Sequence, residues 1–185
     1  MPPPAVSTAS VRTIFYRFRR NRRGSAAVEF ALVAPVFFAL LFAIIETALM
    51  FFADQVLETG VQETGRLIYT SQAQAAGTSQ VDFKQGLCDR VAAMFTCANL
   101  YVDVRSYPKG TAFTITDPID AGGNFVNNFV YQPPANGDTT STVVVRAFYQ
   151  WPLFVTGLGY NIANIGRGSS SSARLLAATA AFRPQ

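Results

Sequence analysis

Histidine is absent from the 185 residues, which removes Ser-His-Asp and Cys-His sites and any imidazole base. Cysteine occurs only twice, at Cys88 and Cys97, and two sulfurs without histidine support leave too few soft ligands for a metal centre. Charge is scarce: Asp, Glu, Lys and Arg make up 14% of the chain against 50% apolar residues, and the mean hydropathy is positive. That balance is too apolar for an ordinary soluble domain of this length and excludes a disordered chain. The glycines of "GLGYNIANIG" lack the lysine and the helix that would let them cradle phosphate. Asp117 and Asp120 bracket Pro118 and read as turn residues, while Asp82, Asp89 and Asp138 suit caps and loops. Phe148, Tyr149 and Trp151 read as core or interface. No enzyme is therefore expected, and no cofactor, metal or small-molecule substrate.

Long apolar sequence is what the chain has in excess. No polar residue occurs from Phe30 to Ile45, and after Glu46 and Thr47 the apolar character resumes to Ala53. A bilayer core of about 30 Å needs roughly 20 mostly apolar helical residues, so this stretch is expected to cross a membrane once, with Pro35 tolerable inside it. No acid precedes Glu29, whereas Arg12, Arg17, Arg19, Arg20, Arg22 and Arg23 all do. Arginines at one end of a span mark its cytoplasmic flank, which places the remainder outside the cytoplasm. A nucleic-acid arm is the competing reading of those arginines. The net charge of +4 gives it little support, because the chain beyond the tail is close to neutral.

Beyond the span, Leu49, Phe52, Val56, Leu57, Val61, Leu67 and Ile68 keep near-helical spacing opposite Asp54, Glu58, Gln62, Glu63 and Arg66. One helix is therefore expected from Ser25 to about Ser71, although Gly60 and Gly65 weaken its continuity. Ser71 to Gln80 reads as a linker. Val81, Leu87, Val91 and Phe95 space a short amphipathic helix that carries Cys88. Leu100, Val102 and Val104 alternate with Tyr101, Asp103 and Arg105 as a half-buried strand, and "TAFTIT" is a second strand candidate. "NFVYQ" and "TVVVRAFYQW" flank "PPANGDTTS" as a hairpin. Ser172 to Phe182 reads as a last strand, with helix as the alternative. Trp151 to Gly166 is apolar but irregular, a packed loop or a partner surface. In an exported domain Cys88 and Cys97 most simply form one disulfide, closing about ten residues and contributing about 2–3 kcal/mol; two reduced core thiols are the alternative. The expected fold is α+β: a long N-terminal transmembrane and amphipathic helix, then a small antiparallel β-sheet domain with a short helix. Its divisions are a basic leader at 1–24, the span at 25–53, a helix extension and linker at 54–80 and a globular domain at 81–185.

"RRNRRGSAAVEF", Arg19 to Phe30, joins the arginines to the span. A secretory signal would have a shorter apolar run and a small-residue cleavage site after it. Here the processed-looking position is Gly24, before the span, with Ser25, Ala26 and Ala27 opening the helix. Cleavage after Gly24 would give Ser25 an α-amino group, charged near neutral pH. Glu29 lies four residues on, on the same helix face, within reach of that amine or of a neighbouring subunit's. A negative charge in the first turn also suits the helix dipole. The competing reading has Glu29 snorkelling to the interface beside Arg22 and Arg23. Glu46, about 25 Å further along a helix, reads either as an interfacial residue reaching water or as a contact to another subunit's cation.

"RRGSAAVEFALVAPVFFALLFAIIE" closely resembles the pilin-like proteins of tight-adherence (Tad, or Flp-type) pilus systems, most of all the TadE family. The likeness extends to "LETGVQETGRLIYT", "VVVRAFYQWPLF" and the closing "AAFRPQ". It implies a minor pilin or pseudopilin that a prepilin peptidase cuts between Gly24 and Ser25, with Glu29 guiding subunit addition by meeting an adjacent N-terminal amine. Implied partners are other pilin-like subunits, a major Flp-type pilin and an inner-membrane pilus platform. The implied location is a bacterial inner membrane with the C-terminal domain periplasmic, or the pilus itself. An uncleaved single-pass scaffold or binding module of the envelope is the alternative.

Overall fold

The computed structural model describes residues 16, 24–112, 114–154, 160–167 and 172–185. The arginine cluster lies outside them, as do residues 155–159 of the apolar segment after Trp151. Helix α1 runs from Ser25 to Tyr69, 45 residues, through Pro35 and through both glycines that weakened its expected continuity. Threonines inside it return their hydroxyls to the backbone: Thr47 Oγ1 donates to Ala43 O at 2.8 Å and Thr64 Oγ1 to Gly60 O at 2.8 Å. In that form a hydroxyl can sit on an apolar face with its hydrogen bond made.

The chain divides into two units, 1–42 and 43–185. In the first, the described part of α1 carries Val28, Phe30, Leu32, Val33, Val36 and Phe37 exposed. In the second, Met50, Ala53, Leu57, Val61, Thr64 and Ile68 form a buried stripe at the three- and four-residue spacing of one helix face. Helix α2, Gln72–Ala75, is a single turn within the expected linker, with Ala73 buried. Helix α3, Gln80–Val91, starts at a capping box: Ser79 Oγ accepts from Asp82 N at 3.2 Å, and the Asp82 carboxylate accepts from Ser79 N at 3.3 Å. Its buried residues are Phe83, Leu87, Cys88 and Val91. Val81, placed on that face by the sequence spacing, is 75% exposed. Phe83, Leu87 and Val91 keep a strict four-residue step, and Val81 lies on the opposite side of the turn.

Four strands make one sheet: β1 Leu100–Tyr107, β2 Tyr131–Gln132, β3 Thr142–Pro152 and β4 Ala173–Phe182, in the order β2-β1-β3-β4. β1 and β3 pair antiparallel, as do β3 and β4, but β1 and β2 are parallel. The sheet is therefore mixed. The hairpin expected between "NFVYQ" and "TVVVRAFYQW" does not form, because β1 pairs with both and separates them. No described residue of "TAFTIT" is in a strand; the described ones are exposed, and β2 occupies the edge of β1.

One sheet face carries Leu100, Val102, Val104, Val143, Val145, Ala147, Tyr149, Leu176 and Ala178, and it packs on α1 and α3 in the main core. Gly60 permits this approach: a Cβ there would stand 2.6 Å from Val91 Cγ1. At the end of α1, Phe182 meets Tyr69 edge-on at 6.0 Å and Gln185 N donates to Tyr69 O at 2.9 Å. The second face carries Phe148 and Leu175, roofed by Ile165 and by Ile119, Phe125 and Phe129 from irregular segments. Because of that roof, Asp103, expected on a solvent face, is 1% exposed.

Candidate functional site

Gly24 precedes the helix, with open space around its Cα, and Ser25 is the first residue of α1. Glu29 is exposed on the helix. No acidic residue falls in the first turn, so the helix dipole, whose influence fades within one turn, holds Glu29 less than its sequence position suggests. Around and beyond it the surface is apolar on every side. From Val28 to Ile45, exposed Val, Leu, Ile and Phe side chains point in all directions, as on a helix made to be surrounded. Each such side chain gains roughly 1.5–3 kcal/mol on leaving water. This is one helix long and apolar enough to cross a membrane.

Glu46 lies under a segment of its own chain. It is 6% exposed, and its Oε1 accepts the backbone N–H of Phe154, from the segment after β3. Beside it Tyr160 Oη lies 3.3 Å from Thr47 Oγ1. Glu29 and Glu46 are therefore distinct environments, one open and one covered by its own chain.

Cys88 and Cys97 are joined as a disulfide with Cα atoms 5.6 Å apart. The bridge ties α3 to the turn that leads into β1. Inside its loop Phe95 packs edge-on against Tyr149 at 4.7 Å and against Trp151 at 6.1 Å. Among the described residues no group of His, Cys, Asp and Glu is placed to hold a metal ion.

Sequence reasoning missed the buried ionic centre. Asp103 and Arg146 stand directly opposite on β1 and β3, with Arg146 Nη2 donating to Asp103 Oδ2 at 2.6 Å and Nε at 3.1 Å. Asp103 Oδ1 accepts from Val130 N at 2.9 Å, Arg105 Nε donates to both carboxylate oxygens, and Arg146 Nη1 donates to Thr116 O at 2.9 Å. These contacts pin the irregular roof to the sheet. The available signal was Arg146 itself, one cation inside the apolar run "VVVRAFYQW". Two turn carboxylates carry lowered pKa values. The Ser141 hydroxyl, with the backbone and hydroxyl of Thr140, holds Asp138 down at about 2. The backbone N–H of Asn124 lowers Asp120. Burial raises the Tyr131 phenol.

A family model described as TadE-like protein matches residues 24–66. The chain carries a TadE-like segment. No curated protein and no solved structure matches the chain. The TadE-like segment begins at Gly24 and ends inside α1, so it takes in the glycine, Glu29, the apolar surface and Glu46 together. It supports a pilin-like membrane protein associated with a Tad pilus. The sheet domain lies outside the matched residues.

Proposed function

We propose that this protein is a minor pilin or pseudopilin of a Tad-type pilus, cut after Gly24 by a prepilin peptidase and packed through α1 against other pilin-like subunits. The observation that carries the reading is the helix surface: apolar all round from Phe30 to Ile45, with one exposed carboxylate, Glu29, just before it. In lipid an unpaired carboxylate costs several kcal/mol. A neighbouring subunit's Ser25 amine would remove that cost only when a subunit is added in register, so the carboxylate selects for correct addition. The sheet domain then lies on the far side of the membrane from the arginines, periplasmic or displayed on the filament. It binds and assembles and performs no catalysis. Priming or capping the filament, for adhesion, is the task that fits a subunit with so large a domain on its helix. The expected partners are pilin-like subunits, the major Flp-type pilin and the inner-membrane platform.

A photo-cross-linking residue at Phe37, exposed on the helix, tests the packing in cells. It should capture pilin-like subunits, and Glu29→Ala should abolish that capture and pilus assembly while leaving the protein in the membrane. Unchanged assembly with Glu29→Ala would contradict the role given to that carboxylate.

A further inference from the structure

Glu46 holds a loop at a depth where water is not expected. Phe154, whose N–H Glu46 accepts, is 82% exposed, and Leu153 before it is half-buried. Thr47 gives its own proton to Ala43 O, so the Tyr160 hydroxyl is the donor in its 3.3 Å contact with Thr47. Residues 154 and 160 are thus both tied to one turn of α1.

Two independent observations say what surrounds them. First, α1 remains apolar and exposed beyond this turn, at Leu49, Phe51 and Phe52. At a helical rise of 1.5 Å per residue, Phe52 stands about 9 Å further along α1 than Glu46. A bilayer that takes Leu49 to Phe52 out of water therefore extends past the level of Glu46 and reaches Phe154 with it. Second, no charged residue occurs between Arg146 and Arg167, so nothing in this part of the chain opposes contact with lipid. Irregular backbone at membrane depth is tolerated only where protein satisfies its polar groups, and the Glu46 carboxylate does so for Phe154.

We propose that Leu153, Phe154 and Tyr160 form a second membrane contact, seating the sheet domain in the boundary between headgroups and acyl chains of the adjacent leaflet. Phe154 enters the acyl side, and the Tyr160 ring takes the position of an interfacial aromatic. Glu46 is a positioning residue that fixes the loop on α1. This inference rests on the membrane reading of α1.

Site-directed spin labelling of the full chain, with its disulfide intact, in phosphatidylethanolamine–phosphatidylglycerol vesicles tests it. A label at Phe154→Cys should collide freely with oxygen and be shielded several-fold from a water-soluble nickel chelate, relative to a label at Ile115→Cys, an exposed loop position. A label at Phe37→Cys in the same vesicles reports the span. If the Phe37 label is shielded from nickel and the Phe154 label is as open to it as Ile115, the loop stands in water and the inference is overturned while the span stands. A Phe37 label open to nickel overturns both. A Phe154 label shielded from nickel and oxygen alike would mean that protein, such as a second subunit, covers the loop, and would also overturn the inference. Glu46→Leu should raise nickel access at Phe154 towards the Ile115 value, and Glu46→Gln, which keeps an acceptor oxygen, should not. Unchanged depth in Glu46→Leu would overturn the positioning role.

Discussion

Asp103 and Arg146 show how much one charge depends on its partner here. Both are buried, and the carboxylate accepts from two arginines and a backbone N–H. Without Arg146 the Asp103 carboxylate keeps only the partly exposed Arg105 and one backbone N–H, and breaking a buried ion pair costs about 3–5 kcal/mol. Arg146→Met should therefore lower the stability of the detergent-solubilised protein by that amount in urea unfolding. Arg105, whose side chain is 28% exposed, is closer to a surface partner, and Arg105→Met should cost about 1 kcal/mol or less. Equal losses would contradict this division. Alternation along β1 exposes the parity of Asp103 but not its burial. The roof over that face, Ile119, Phe125 and Phe129, has no period of its own, so sequence reasoning left the face in water. Asp138 gives a pH dependence. Its folded pKa of about 2 lies below the usual carboxylate value of about 3.9. Its ionised form therefore stabilises the loop fully above about pH 4, and that contribution is lost as pH falls through about 2. The difference in melting temperature between Asp138→Asn and the parent should be constant at neutral pH and close over that acid window. A difference that widened on acidification would contradict the assignment.

At the scale of elements, the two glycines of the α1–α3 contact and α3 itself should answer oppositely to alanine. Alanine in a helix interior gains about 1 kcal/mol over glycine. At Gly86 the nearest atom to a new Cβ is Arg90 Nη1 at 3.7 Å, so Gly86→Ala should raise stability. At Gly60 the Cβ would meet the stiff Val91 side chain at 2.6 Å, and overpacking costs about 1–3 kcal/mol. Gly60→Ala should be neutral to destabilising, and a gain equal to that of Gly86→Ala would refute the close approach. The sequence made these elements legible to different degrees. α1 and α3 were readable because a period of three and four residues records one buried face, and β1 and β3 because branched and apolar residues run long; β4, rich in alanine and leucine, left helix open and read as a strand from its place after the other strands. β2, of two residues, carries no period at all. Its parallel pairing with β1 comes from the course of residues 108–130, which no local pattern encodes. The bond between Cys88 and Cys97 was legible from count and compartment, and its partners Phe95, Tyr149 and Trp151 were not.

At the scale of the molecule, α1 carries two surfaces in succession. Its first half has apolar side chains on all sides, and none of the described residues buries them. Its second half narrows to the stripe Ala53, Leu57, Val61, Thr64 and Ile68, which the sheet and α3 cover. A soluble domain would use the stripe alone; a membrane-inserted, assembling helix needs both. The Gly24–Glu29 spacing was the legible part of the candidate site. Glu46 was legible only as an anomaly, because its partner Phe154 is 108 residues away. The central claim is that Glu29 waits for an amine that exists only after cleavage. N-terminal sequencing of the membrane-fraction protein, from cells with and without an active prepilin peptidase, tests it most directly. A chain that begins at Ser25 is predicted when the peptidase is active, and one that still carries the residues before Gly24 when it is absent. A chain still carrying the residues before Gly24 beside an active peptidase would contradict the claim and leave an uncleaved single-pass scaffold in its place.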